Sequence, residues 1–144
     1  MKENLLERLE TLIRNGLSVE EAFEIISWRE FEDTVAEIFE VHGFNVKRNI
    51  YIKNSRRYQI DFIAEKSNKV IVVDCKQWSK HRYKISELKK ACLRHREKSL
   101  VFMTSNNVKE VIPLIITLLD ENFYEYEGVF VIPLFKLNYF LLSL

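Results

Sequence analysis

From Trp28 onward the apolar residues fall at Phe31, Val35, Ile38 and Phe39, the three- and four-residue steps of one helix face. Ser27-Trp28-Arg29-Glu30 opens that helix as a capping box, and Gly43 closes it after Val41 or His42. Ser18-Val19-Glu20-Glu21 is a second capping box and starts a short helix from Val19 to about Ile26. A first helix covers Glu3 to Arg14 and stops at Asn15-Gly16. Beyond Gly43 the pattern changes period. Phe44 to Lys53 alternates as a strand, with a bulge or slip expected near Arg48-Asn49. Tyr58 to Glu65 and Val70 to Lys76 read as two further strands around a short polar turn. Val70-Ile71-Val72-Val73 has no polar residue, which marks a strand covered on both faces.

The second half is predicted as a helix capped by Ser86 and running to about Glu97, then a strand at Leu100–Met103. A helix from Asn106 or Asn107 to about Leu119 follows, then a strand from Gly128 to Ile132 stopped by Pro133. The apolar end, Leu134 to Leu144, is read as helical. Helices, three strands and then α-β-α-β-α predict an α/β fold: a mixed sheet flanked by helices, its later strands parallel through right-handed crossovers.

A chain of 144 residues, 47% apolar, makes one globular unit with a sizeable core. No apolar run reaches membrane-spanning length, so no membrane association is expected. Cys75 and Cys92 form no CxxC pair, which argues against a zinc or disulfide framework and for a reducing, cytoplasmic setting. No phosphate-cradling glycine loop is present.

The net charge of +1 hides an uneven distribution. Residues 1–44 carry 4 Lys/Arg against 11 Asp/Glu, a net of −7; residues 45–98 carry 16 against 5, a net of +11; residues 99–144 carry 2 against 5, a net of −3. A basic middle third inside a near-neutral chain is the footprint expected for a polyanion.

Charged chemistry also follows the most buried strand at once, as Asp74-Cys75-Lys76. If Ser67-Asn68 is a two-residue turn, residues whose numbers sum to 135 face each other, and Asp61 meets Asp74 with Cβ atoms about 5 Å apart. Lys76 falls on the Asp74 side of its strand, and Cys75 on the other as a small core residue. On the preceding helix, Glu32 lies about 70° from the buried stripe and borders the core, whereas Asp33 and Glu37 face solvent. Acids and a lysine so placed suit a hard cation such as Mg²⁺, which takes carboxylate oxygens, lowers the pKa of bound water and offsets charge on a phosphoryl group.

These residues resemble a known family. Asp61, the thirteen-residue step, and Asp74-Cys75-Lys76 resemble the PD-(D/E)xK motif of the restriction-endonuclease-like nuclease superfamily, with Ile60 where the motif has proline. "FEDTVAEIFEVHGFNV", Phe31 to Val46, resembles the helix that opens Mrr-type nucleases and archaeal Holliday junction resolvases. In those relatives a catalytic Glu stands eleven residues before the helix-ending Gly, which here is Glu32. The resemblance implies an αβββαβ core within a nuclease domain of residues 28–144, and a helical extension of residues 1–27 packed on it. It implies Asp61, Asp74 and Glu32 as metal ligands, Lys76 as catalytic lysine, and Mg²⁺ as cofactor with Mn²⁺ able to substitute.

The expected activity is metal-dependent DNA endonucleolysis, Mrr-like or resolvase-like. The alternative is a non-catalytic nucleic-acid-binding or assembly subunit that keeps the fold. Duplex or branched DNA would be held through Lys47, Arg48, Lys53, Arg56, Arg57, Lys80, Arg82 and Lys84, with Trp78 either stacking on bases or capping the core. His81 is a possible phosphate contact, and His42 and His95 read as structural. Val129 to Leu144 holds twelve apolar residues around one charge, Lys136, a surplus that predicts a homodimer; the alternative is that the N-terminal helices, with Leu5, Leu9 and Leu12 among their apolar residues, cover this tail within one monomer.

Overall fold

The structure, a computed structural model, describes residues 5–25, 27–53, 56–76 and 84–144. Three helices come first: α1 (Leu5–Arg14), α2 (Val19–Glu24) and α3 (Trp28–Val41). Both capping boxes are made. Ser18 and Glu21 exchange side-chain-to-backbone bonds at 3.1 and 3.2 Å, and so do Ser27 and Glu30. The end of α3 is fixed by Gly43 at φ +86°, a conformation that costs glycine little. Its N–H reaches Glu40 O at 2.9 Å and the Phe44 N–H reaches Phe39 O at 3.0 Å, the paired bonds of a Schellman turn.

Three strands follow, β1 (Asn45–Lys53), β2 (Arg57–Lys66) and β3 (Lys69–Lys76), then α4 (Ile85–Ser105), β4 (Ile112–Thr117), β5 (Glu125–Tyr126) and β6 (Val129–Pro133). A 3₁₀ turn at Leu134–Lys136 leads into α5 (Leu137–Leu142). The six strands lie in the order β1-β2-β3-β4-β6-β5. β2 is antiparallel to both of its neighbours, β1 and β3; β4 and β6 run parallel to β3; β5 is antiparallel to β6. From α3 to β4 the chain traces αβββαβ, a mixed sheet with helices on both faces.

Three expectations are corrected here. Leu100–Met103 is not a strand but the end of α4. The buried positions Leu88, Ala91, Cys92, His95, Ser99 and Phe102 keep helical spacing straight through it, so packing of a continuous stripe overrides local β-propensity. Residues from Asn106 to Leu119 are not a helix. Asn106 caps α4, and Leu114 to Leu119 is an unbroken buried run, as in a strand covered on both faces. Pro113 is tolerated one residue into that strand. Ser86 does not cap α4: Lys84 is the N-cap residue, and its carbonyl accepts from the N–H groups of Glu87 and Leu88.

The expected irregularity in β1 takes an unforeseen form. Register between β1 and β2 is kept from Asn45↔Glu65 to Lys53↔Arg57, but Asn49 is missing from the ladder and sits at φ +53°. The strands exchange faces there. Val46 packs with the α1–α3–α5 side, and Arg48 pairs with Asp33 on α3; Ile50 and Ile52 pack with the α4 side. In β2, Phe62 belongs to the α3 side and Ile60 to the α4 side. Strict alternation would put all these even-numbered residues on one face. The switch in β2 is at Asp61.

Candidate active site

The turn at Ser67-Asn68 sets β2 against β3 as Lys66↔Lys69, Glu65↔Val70, Ala64↔Ile71, Ile63↔Val72 and Phe62↔Val73. Every pair sums to 135, the register that directs Asp61 towards Asp74. The ladder ends at Phe62↔Val73, one residue short of that pair. Beyond it a side chain takes over the role of the ladder: Asp61 Oδ2 accepts the Cys75 N–H at 2.9 Å. Two carboxylates are thus gathered where the strands open, and Asp61 stands at the point of face exchange.

Burial, and after it the charge of Asp74, pushes the Asp61 carboxyl up to about 7; Glu32 adds to the rise and the Cys75 N–H opposes it. Burial also works against ionised Asp74, which is 8% exposed, but the Lys76 ammonium, helped by Lys98, overcomes it and holds its pKa below the ordinary value. The Lys76 ammonium is 2.9 Å from Asp74 Oδ2. Cys75 turns to the α3-side core, and its thiol is pushed well up by burial and then by Asp61, Asp74 and Glu32.

Glu32 projects from α3 and is half-buried, while Glu37 is exposed, as the helical projection predicts. Burial raises the Glu32 pKa, Arg48 opposes the rise, Asp33 adds to it, and a hydrogen bond from Trp28 opposes it. Arg48 is committed locally: it is 2.9 Å from Asp33 and lies over the Phe62 ring at 5.3 Å. Among the described residues no three His, Cys, Asp or Glu side chains are clustered as a ready-made metal site. Asp61 and Asp74 are brought together, and Glu32 joins them through its charge.

Lys47, Lys53, Arg56 and Arg57 are exposed on β1 and at the start of β2, and Lys84 is exposed at the head of α4. Trp78, Lys80, His81 and Arg82 lie outside the described residues. A cavity of about 180 Å³ lies between α4 and the sheet, lined by Asp74, Lys76, Arg56, Tyr58 and the α4 residues Arg94, His95 and Lys98 among others. The α4 residues were missed in the sequence. Their signal was a histidine on the buried stripe of a helix with cations one residue before and three after it. His95 is 2% exposed, its Nε2 is 2.8 Å from Val72 O, and its Nδ1 has no partner among the described residues. A carbonyl only accepts, so Nε2 carries a proton; burial lowers the His95 pKa and favours the neutral ring, in which Nδ1 is a bare acceptor. Such an orphan costs about 1–3 kcal/mol unless it is satisfied.

The Mrr_cat family model, described as a restriction endonuclease, matches residues 23–111. An uncharacterised protein of Archaeoglobus fulgidus is 33% identical over 118 residues, which cover 81% of this chain and 91% of that protein. The crystal structure of AF1548, a protein of unknown function, superposes with a TM-score of 0.51 at 17% identity, covering 71% of this chain; the chain spans 55% of that structure's length. An αβββαβ core with an aspartate pair and lysine at the open end of β2 and β3, matched over more than half its length by one family, places the chain: it belongs to the Mrr_cat restriction endonuclease family of the PD-(D/E)xK nuclease superfamily.

Proposed function

We propose that the protein is a Mg²⁺-dependent DNA endonuclease, with Asp61, Asp74 and Glu32 holding the metal and Lys76 serving the reacting phosphate. The observation that carries this is the convergence of Asp61 and Asp74 at the open end of β2 and β3, with Lys76 on Asp74. The donors fit the ion. They are hard carboxylate oxygens, as Mg²⁺ prefers, and the Cys75 amide occupies only one oxygen of Asp61. A buried carboxylate beside a half-buried one that is lifted to about 7 makes a pair that a cation stabilises. When bound, Mg²⁺ supplies an acidified water and a positive charge for the phosphoryl oxygens. Lys76 partly neutralises Asp74 and presents an ammonium to the developing negative charge. Glu32 contributes a further acid from the α3 side.

The exposed cations Lys47, Lys53, Arg56, Arg57 and Lys84 hold flanking phosphates of duplex or branched DNA. Mn²⁺ substitutes for Mg²⁺. The protein works as a homodimer, because Phe135, Tyr139 and Leu142 remain 51%, 78% and 73% exposed after Leu134, Leu137 and Leu141 have entered the core. Sedimentation that gives a single species near 17.3 kDa at micromolar concentration rejects the dimer. The activity itself is tested with labelled duplex, branched and single-stranded DNAs plus Mg²⁺ or Mn²⁺. Metal-dependent cleavage of at least one supports it. DNA binding without cleavage of any supports instead a non-catalytic binding subunit on the nuclease fold.

A further inference from the structure

The cavity between α4 and β3 is lined by more positive charge than the acids around it neutralise. Lys76 is spoken for by Asp74 at 2.9 Å, and the Glu97 carboxylate accepts the Tyr58 hydroxyl at 3.1 Å. Arg56, Arg94 and Lys98 line the same cavity and pair with no acid among the described residues. Arg94 and Lys98 are four residues apart on α4, so both project over one patch of the sheet. His95, between them in sequence, lines the same cavity, and its Nδ1 is buried without a partner among the described residues.

We propose that this cavity is a phosphate subsite, which receives a phosphate of the substrate strand next to the bond attended by Asp74 and Lys76. Arg56, Arg94 and Lys98 would supply charge-assisted donors to its oxygens, the guanidinium forks in bidentate fashion. The volume, about 180 Å³, accommodates a tetrahedral anion but not a base pair, so the subsite reads backbone rather than sequence. The identity of the ligand as a nucleic-acid phosphate rests on the nuclease reading; the anion site itself does not.

The test uses the full chain, isotope-labelled, in EDTA. Inorganic phosphate is titrated at constant ionic strength while the His95 imidazole nitrogens and the amides of α4 are followed by NMR. Saturable shifts centred on His95, absent with chloride, are expected. The R94Q/K98Q double variant, both changes on partly or fully exposed side chains, should weaken phosphate on the order of tenfold while keeping the same melting temperature. Shifts equal to those of chloride, or an affinity unchanged in the double variant, overturn the subsite.

The dinucleotides TpT and pTpT separate the sources of phosphate. Displacement by TpT assigns a chain phosphate, and displacement by pTpT alone assigns a strand end. If neither displaces inorganic phosphate, the substrate assignment is wrong. Cleavage in Mg²⁺ is read separately. Absent cleavage with intact phosphate binding rejects the nuclease reading and leaves the anion site, whereas intact cleavage without phosphate binding rejects the subsite alone.

Discussion

On the α3 side of the sheet, Phe31, Val35 and Phe39 of α3 meet Leu5 and Leu9 of α1, Leu134, Leu137 and Leu141 of the tail, and Phe62, Ile71 and Val73 of the strands in one continuous apolar cluster. On the α4 side the apolar packing is split in two. Ile52, Ile60, Ile63, Val72 and Phe102 form one patch, Ala91, Cys92, Ile115, Val129 and Val131 another, and Asp74, His95 and Ser99 are buried polar groups of the same layer. The first side has little room for charge; the second buries ionisable groups at a cost that apolar packing elsewhere must offset. The difference shows how a small domain divides its work. One face supplies cohesion, and the other holds a carboxylate and an imidazole in a dry setting where their interactions are strong.

The largest effect separating the two sides is expected in catalysis. Asp74→Ala, Asp61→Ala and Lys76→Ala should each reduce Mg²⁺-dependent cleavage by about 10³-fold or more while circular dichroism stays native. Glu32→Ala should come close to that loss, and Glu37→Ala should be nearly silent. An inert Glu32 with an essential Glu37 would mean that α3 presents a different face to the substrate.

Stability should sort the other way. Phe39→Ala, at a fully buried position of the continuous cluster, should cost about 3–5 kcal/mol in denaturant unfolding. Phe102→Ala, 6% exposed in the smaller patch, should fall at or below the lower end of that range. Equal losses would erase the division of labour between the faces.

A smaller, pH-dependent effect concerns Asp61. Its pKa is raised from 3.8 to about 7, so the folded protein binds this proton more tightly than the unfolded chain does. The metal-free protein therefore loses stability as pH rises from about 4 to about 7. Asp61→Asn should melt higher than the parent above pH 7 in EDTA, with the gap closing below about pH 4. Mg²⁺ should raise the melting temperature of the parent but not of the variant. A gap that ignores pH would detach Asp61 from this linkage.

The smallest effect is in the salt dependence of DNA binding. Replacing Arg56 and Arg57 by Gln should lower the slope of log K against log salt by about 0.9 for each phosphate that the protein ceases to neutralise. An unchanged slope would move the DNA path away from the start of β2.

Much of the site was legible in one dimension because its rules are local. Capping boxes at Ser18 and Ser27, the helix-ending Gly43 and the two-residue turn at Ser67-Asn68 depend on neighbours in sequence, and all are made. The turn fixed the register, and the register directed Asp61 towards Asp74. What failed was set by partners far along the chain. Leu100–Met103 is equally able to form strand or helix, and Phe102 joins the stripe begun at Leu88 only because a sheet lies beneath α4. Ile112–Thr117 is a strand because β3 and β6 stand ready to bond both its edges.

The face exchange at Asn49 and Asp61 was half visible, as a broken alternation near Arg48-Asn49, but its consequence for Asp61 needed the partner strand. The gathering of Arg94, His95 and Lys98 over Asp74 had no signature in spacing between α4 and β3. Sequence alone determined the αβββ order, the aspartate pair and its lysine, because hydrogen bonding and side-chain period act over a few residues. Tertiary structure decided where α4 ends, which way Asp61 turns and what surrounds Asp74, because burial is a property of the assembled layers.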